Sequence, residues 1–122
     1  MATTTLDDAL TKAIAAHDEW RARLRLMIST GATGIDARAV RRDEDCDLGK
    51  WLHSRKANGR DAAHRTELGH LHARFHEAAA RVVELVDERR RAEALAATGP
   101  NGEFTLAADD LRKALAESSA SA

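Results

Sequence analysis

Apolar residues recur every three or four positions along most of this chain, and that spacing leaves helices as its only regular structure. From Ala63 to Ala97, Leu68, His72, Phe75, His76, Ala79, Val82 or Val83, and Val86 fall on one stripe, as an amphipathic helix requires. At 3.6 residues per turn the segment makes roughly nine turns. A second stripe, Leu6, Leu10, Ile14, His17, Trp20, Leu24 and Met27, marks a helix over residues 6–28. Thr5 and Asp8 form its expected N-terminal cap, and Gly31-Ala32-Thr33-Gly34 ends it. Asp36 to Arg42 reads as one or two turns, Asp43-Glu44-Asp45 as a solvated joint, and Cys46 to about Arg55 as a short helix closed by Asn58-Gly59. Gly99-Pro100-Asn101-Gly102 is the clearest breaker. Beyond it Phe104, Ala107, Ala108, Leu111, Ala114 and Leu115 mark a last helix, with residues 118–122 as a frayed tail. No segment alternates with period two, so an all-α bundle follows, as a single domain over residues 1–122.

Composition narrows the function classes. The 122 residues hold 19 Lys and Arg against 20 Asp and Glu, which supplies no excess positive field for nucleic acid or a membrane surface. The N-terminus lacks the basic and apolar regions of a signal peptide, and no run approaches the roughly 18 apolar residues of a transmembrane helix. A cytoplasmic protein is expected. With two Trp, two Phe and no Tyr, the core must be built from Leu, Val, Ile and Ala. One cysteine cannot make an internal disulfide, which leaves an inert thiol, a reactive thiol or a metal ligand.

The six histidines carry the chemistry. His72 and His76 are four apart, so on a helix both imidazoles project from one face about a turn apart, and both lie on the apolar stripe. Two buried imidazoles are costly to leave unsatisfied, and a divalent cation is the usual use for two such lone pairs. A pair hydrogen-bonded to backbone and water is the competing reading. His17 sits mid-stripe on the first helix. Cys46 opens a short helix, where the N-terminus favours the thiolate. Three imidazoles and one thiolate suit tetrahedral zinc, although softness alone does not exclude other late transition metals. Asp43, Asp45 and Asp47 read as a solvated turn more readily than as partners of a ligand imidazole. His53, His64 and His70 are weaker ligand candidates. Glu88-Arg89-Arg90-Arg91 reads as a charged helix face, and Trp20, Trp51 and Phe75 as packing around the site.

Three motifs stand in order: His17-Asp-Glu-Trp20, Cys46-Asp-Leu48-Gly49-Lys-Trp51 and His72-Ala-Arg-Phe-His76, separated by gaps of 25 and 20 residues. The pattern His-x-x-aromatic, Cys-x-apolar-Gly-x-apolar, His-x-x-x-His resembles the chemoreceptor zinc-binding domain of bacterial signalling proteins. The resemblance implies a zinc site made by His17, Cys46, His72 and His76. The fold it implies is an antiparallel four-helix bundle with a short extra helix carrying the cysteine, paired as a homodimer. It further implies a sensor of zinc or of oxidants such as hypochlorous acid, acting on a chemoreceptor or a diguanylate cyclase. No output segment fits in 122 residues, which implies either a free-standing member acting on a partner, the reading that Met1 and the terminal ESSASA favour, or a sensor cut from a longer chain.

An enzyme is not expected, because four protein ligands fill zinc's coordination sphere and Ala73 stands where a zincin would place its Glu. Two alternatives remain at this point. One is a hemerythrin-like di-iron oxygen-binding bundle, which needs bridging carboxylates on the inner stripes, a face that Glu67, Glu77 and Glu84 do not share with the histidines. The other is a purely structural, zinc-stapled dimerisation module.

Overall fold

The computed structural model describes residues 2–42 and 59–121, with side chains placed for 11–42 and 66–116. Five helices occupy them: α1 (Ala2–Thr30), α2 (Ala37–Arg41), α3 (Gly59–Asp87), α4 (Arg91–Thr98) and α5 (Glu103–Ser121). No strand occurs among the described residues, so the all-helical expectation holds. The joint at Asp43–Asp45 and the short helix expected from Cys46 to Arg55 lie outside them.

The periodic stripes become the core. On α3, Leu68, His72, Phe75, His76, Ala79, Val82, Val83 and Val86 are all buried, and α3 packs against α1, α2, α4 and α5. On α1, His17, Leu24 and Met27 are buried, as are Ala13 and Ile28, while Ile14 and Trp20 pack on the margin of the core. Phe104, Ala107, Leu111, Ala114 and Leu115 form the buried face of α5. α1 and α3 run side by side in the same direction. His17 meets His72 and His76, Ile28 and Val86 line one hollow further along, and Thr33 Oγ1 donates to Asp87 Oδ1 at 2.8 Å beyond that. α5 is tied across both by Arg74–Asp110 at 2.7 Å and Arg112–Asp18 at 3.5 Å.

Three boundaries differ from the periodic reading. α1 begins at Ala2, so Thr5 lies inside the helix and does not cap it. The long helix expected from Ala63 to Ala97 is broken at Glu88–Arg90. There Arg89 adopts φ 61°, its N–H donates to Val86 O at 3.0 Å, and the Arg90 N–H donates to Leu85 O at 2.8 Å. This is a Schellman motif with arginine in the left-handed position that glycine normally takes. The charged run Glu88–Arg91 is therefore a turn and the start of α4, and it carries no residue that announces a break. α5 continues to Ser121, through the residues expected to fray.

The other breakers act where expected. Gly31, at φ 76°, ends α1 and returns its N–H to Met27 O at 2.8 Å. Gly102 lies so close under α4 that a Cβ there would meet the Ala96 and Ala97 carbonyl oxygens at 2.2 and 2.3 Å. Only glycine permits that approach. Among the described residues, no helix is long and apolar enough to cross a membrane.

Candidate metal centre

α1 and α3 bring three imidazoles together. His17, His72 and His76 are 9, 0 and 4 % exposed, and one ring nitrogen from each lies within 4.8 Å of the other two. The His72 and His76 rings are 4.5 Å apart, centroid to centroid, and nearly perpendicular. The His17 ring stands edge-on to both, at 5.3 and 5.8 Å. One helical turn separates the two α3 histidines, and His17 enters from the parallel helix at the same level.

Backbone carbonyls set the orientation of two rings. His17 Nδ1 lies 2.5 Å from Ala13 O, and His76 Nδ1 lies 2.7 Å from Val40 O. A carbonyl oxygen only accepts, so Nδ1 carries the proton in both and Nε2 keeps the lone pair. Metal-binding histidines almost always use the second nitrogen this way. His76 Nε2 is buried with no hydrogen-bond partner, a costly state for a polar atom unless something accepts its lone pair.

The set fits zinc. Zn–N bonds of about 2.0–2.1 Å in a tetrahedron place nitrogen ligands roughly 3.3 Å apart, so small ring rotations bring these atoms to bonding positions. Burial pushes the His17 imidazole below its ordinary value; the bond to Ala13 opposes this and the nearby His76 reinforces it. His17 is thereby held neutral, the form that binds metal.

The sign of the pH effect follows. In metal-free protein the unfolded chain protonates His17 near pH 6.5, while the folded chain resists. Below about pH 6.5 the unfolded state binds more protons, and stability falls by up to about 1.4 kcal/mol per pH unit for this one group. Urea unfolding of chelator-stripped protein is expected to show a flat free energy above pH 7 and a decline from pH 6.5 to 5.5 that is shallower in His17→Gln. Equal slopes in the two proteins would mean that His17 titrates freely in the fold.

The remaining candidates sort themselves by position. Cys46, His53 and Trp51 lie outside the described residues, as do Asp43, Asp45, Asp47 and the His64 side chain. His70 is exposed. Phe75 does pack on the site, its ring 4.7 Å from His17 and 5.6 Å from His76, and Phe104 backs it at 5.2 Å. Trp20 stands at the margin with the Arg23 guanidinium 4.2 Å over its ring. The carboxylates that a di-iron site would need are directed elsewhere. Glu67 is exposed, and Glu77 and Glu84 bind Arg41. Among the described residues, the three histidines alone form a metal-competent group. The periodic reading missed the Ala13 and Val40 carbonyls, because any residue type supplies a carbonyl.

Helices that converge three buried, mostly carbonyl-oriented imidazoles on one point define a helical module that could hold a metal ion. The sequence model of the family described as the chemoreceptor zinc-binding domain matches residues 17–83, more than half of the chain, and the chain belongs to that family. Comparison with curated proteins and with solved structures finds no match.

Proposed function

We propose that the chain is a zinc-dependent sensory module of bacterial signal transduction, with zinc held by His17, Cys46, His72 and His76. The observation that carries this reading is the convergence of three buried imidazoles within 4.8 Å, two of them with Nδ1 bound to a carbonyl. Cys46 is six residues beyond Val40, whose carbonyl already touches His76. At 3.3–3.6 Å per residue, a chain of that length reaches at most about 20 Å, enough to bring the thiolate to the site. Family membership supports the choice of zinc. The parallel course of α1 and α3 suits an antiparallel four-helix bundle in which the chain returns between them; a short helix bearing Cys46 and pairing as a homodimer complete the reading that family membership supports.

When bound, zinc would supply a positive charge, held by His17, Cys46, His72 and His76, that favours neutral imidazoles and the Cys46 thiolate. With four protein ligands no position is left for a reacting water, so the module senses and does not catalyse. Cys46 is the ligand that the environment changes most readily. Hypochlorous acid converts the thiolate to sulfenic acid and chloride, RS⁻ + HOCl → RSOH + Cl⁻, with two electrons passing from sulfur to chlorine. The three histidines keep their places on α1 and α3, and the segment bearing Cys46 is released. A chemoreceptor, a diguanylate cyclase or the dimer partner reads that release as a two-state change.

The test is cobalt-substituted and zinc-loaded protein, compared with Cys46→Ala. One metal per chain is expected, with a thiolate-to-cobalt charge-transfer band that vanishes in Cys46→Ala while metal remains bound. Hypochlorous acid should abolish the same band in the wild type. A wild type without that band removes Cys46 from the site, and a wild type that keeps its band and its metal under hypochlorous acid leaves a structural staple.

A further inference from the structure

His76 owes its orientation to a carbonyl on α2, and α2 is only five residues long, far too short to be stable by itself. Its placement on α3 is therefore decided by what anchors it. Asp36 caps it, with Oδ1 accepting from the Arg38 N–H at 3.0 Å, but that bond lies within the turn and does not locate it on α3. Val40 is 3 % exposed and seats the turn in the core. An apolar contact sets depth well and position along the neighbouring helix poorly, since it has no direction.

Arg41 supplies the direction. Its Nε lies 3.0 Å from Glu77 Oε1, and its two terminal nitrogens lie 3.2 and 2.8 Å from the two Glu84 oxygens. The second contact is a two-pronged one, fork to fork. Glu77 directly follows His76, and Glu84 stands two turns further along α3. One guanidinium thus grips α3 at two levels and fixes α2 along its axis. The same contacts raise Arg41 above its already high ordinary value and lower Glu84.

We propose that Arg41 is a positioning residue for the metal centre: through Glu77 and Glu84 it holds the Val40 carbonyl on His76 Nδ1, so that Nε2 faces the pocket. The proposal rests on the metal reading of the histidine cluster for its effect on affinity, and on geometry alone for its effect on the ring. An exposed ion pair would ordinarily contribute little. This one matters because it bears on which nitrogen of a ligand is protonated. Groups that orient a ligand in this way typically change metal affinity 10–100-fold when removed.

The experiment measures zinc affinity by competition with a fluorescent chelator, and the His76 tautomer by ¹⁵N chemical shifts of the metal-free protein. Arg41→Gln is expected to weaken zinc about tenfold and to turn His76 from a single Nδ1–H tautomer into a mixture. Glu84→Gln should act in the same direction more weakly. The double variant should lose no more than Arg41→Gln alone, because both changes break one clamp. Arg90→Gln removes an arginine whose partners, Glu88 and Glu93, lie away from the site, and should leave affinity unchanged. If Arg41→Gln unfolds, Glu84→Gln carries the test by itself. Affinity within twofold of wild type, or a loss with the His76 tautomer unchanged, overturns the proposal. A wild type that binds no zinc overturns the metal reading instead, and the tautomer comparison still decides the clamp.

Discussion

Stripping the metal with a chelator is expected to lower the melting temperature by roughly 15 °C while leaving the far-ultraviolet helical signal at room temperature largely intact. Zinc present at a thousand times its dissociation constant stabilises the folded chain by about 4 kcal/mol. At roughly 2 cal/mol/K of unfolding entropy per residue, a chain of this length converts that into about 15 °C. The helices should survive because much of the core lies away from the histidines. Leu24, Val82, Val83, Phe104, Leu111 and Leu115 are each 1 % exposed or less, and none of them is a ligand. Thermal unfolding followed by circular dichroism, with and without chelator, measures the effect. A shift of less than about 3 °C, or about 0.7 kcal/mol on the same scale, would show that the three imidazoles are satisfied without a metal.

The parts of this site that were legible in the sequence are those set by helix geometry. His72 and His76 share a face because four residues make about one turn, and their burial follows from Leu68, Phe75 and Ala79 on the same stripe. His17 was placed by the same rule, together with the motif it shares with Trp20. The break at Glu88–Arg90 left no trace, because the left-handed residue is Arg89 and the hydrogen bonds that close the turn run between backbone atoms. The role of α2 was equally hidden. A carbonyl at Val40 looks like any other until α3 is placed against it, and Glu77 and Glu84 enter the sequence reading only as carboxylates off the histidine face until Arg41 is found on both.

Phe75→Ala is expected to lower stability by about 3–5 kcal/mol, the usual result of emptying a fully buried aromatic site. The chain has only two phenylalanines, and they touch each other, with ring centroids 5.2 Å apart. Phe75 is 1 % exposed and also forms the apolar wall against which the His17 and His76 rings stand. Its removal therefore leaves a cavity beside the clustered imidazoles as well as in the core, so metal binding should weaken along with the fold. Phe75→Leu keeps most of the volume, and its cost should stay below about 1.5 kcal/mol. A domain of this kind has about 5–15 kcal/mol of stability in total, so the cavity and the loss of metal together approach that whole. Metal-free Phe75→Ala should accordingly be largely unfolded at 25 °C, and added zinc should restore its helical signal. If the metal-free variant keeps the wild-type signal and melts within a few degrees of metal-free wild type, the apolar core outweighs the metal, and the aromatic wall is not what couples them.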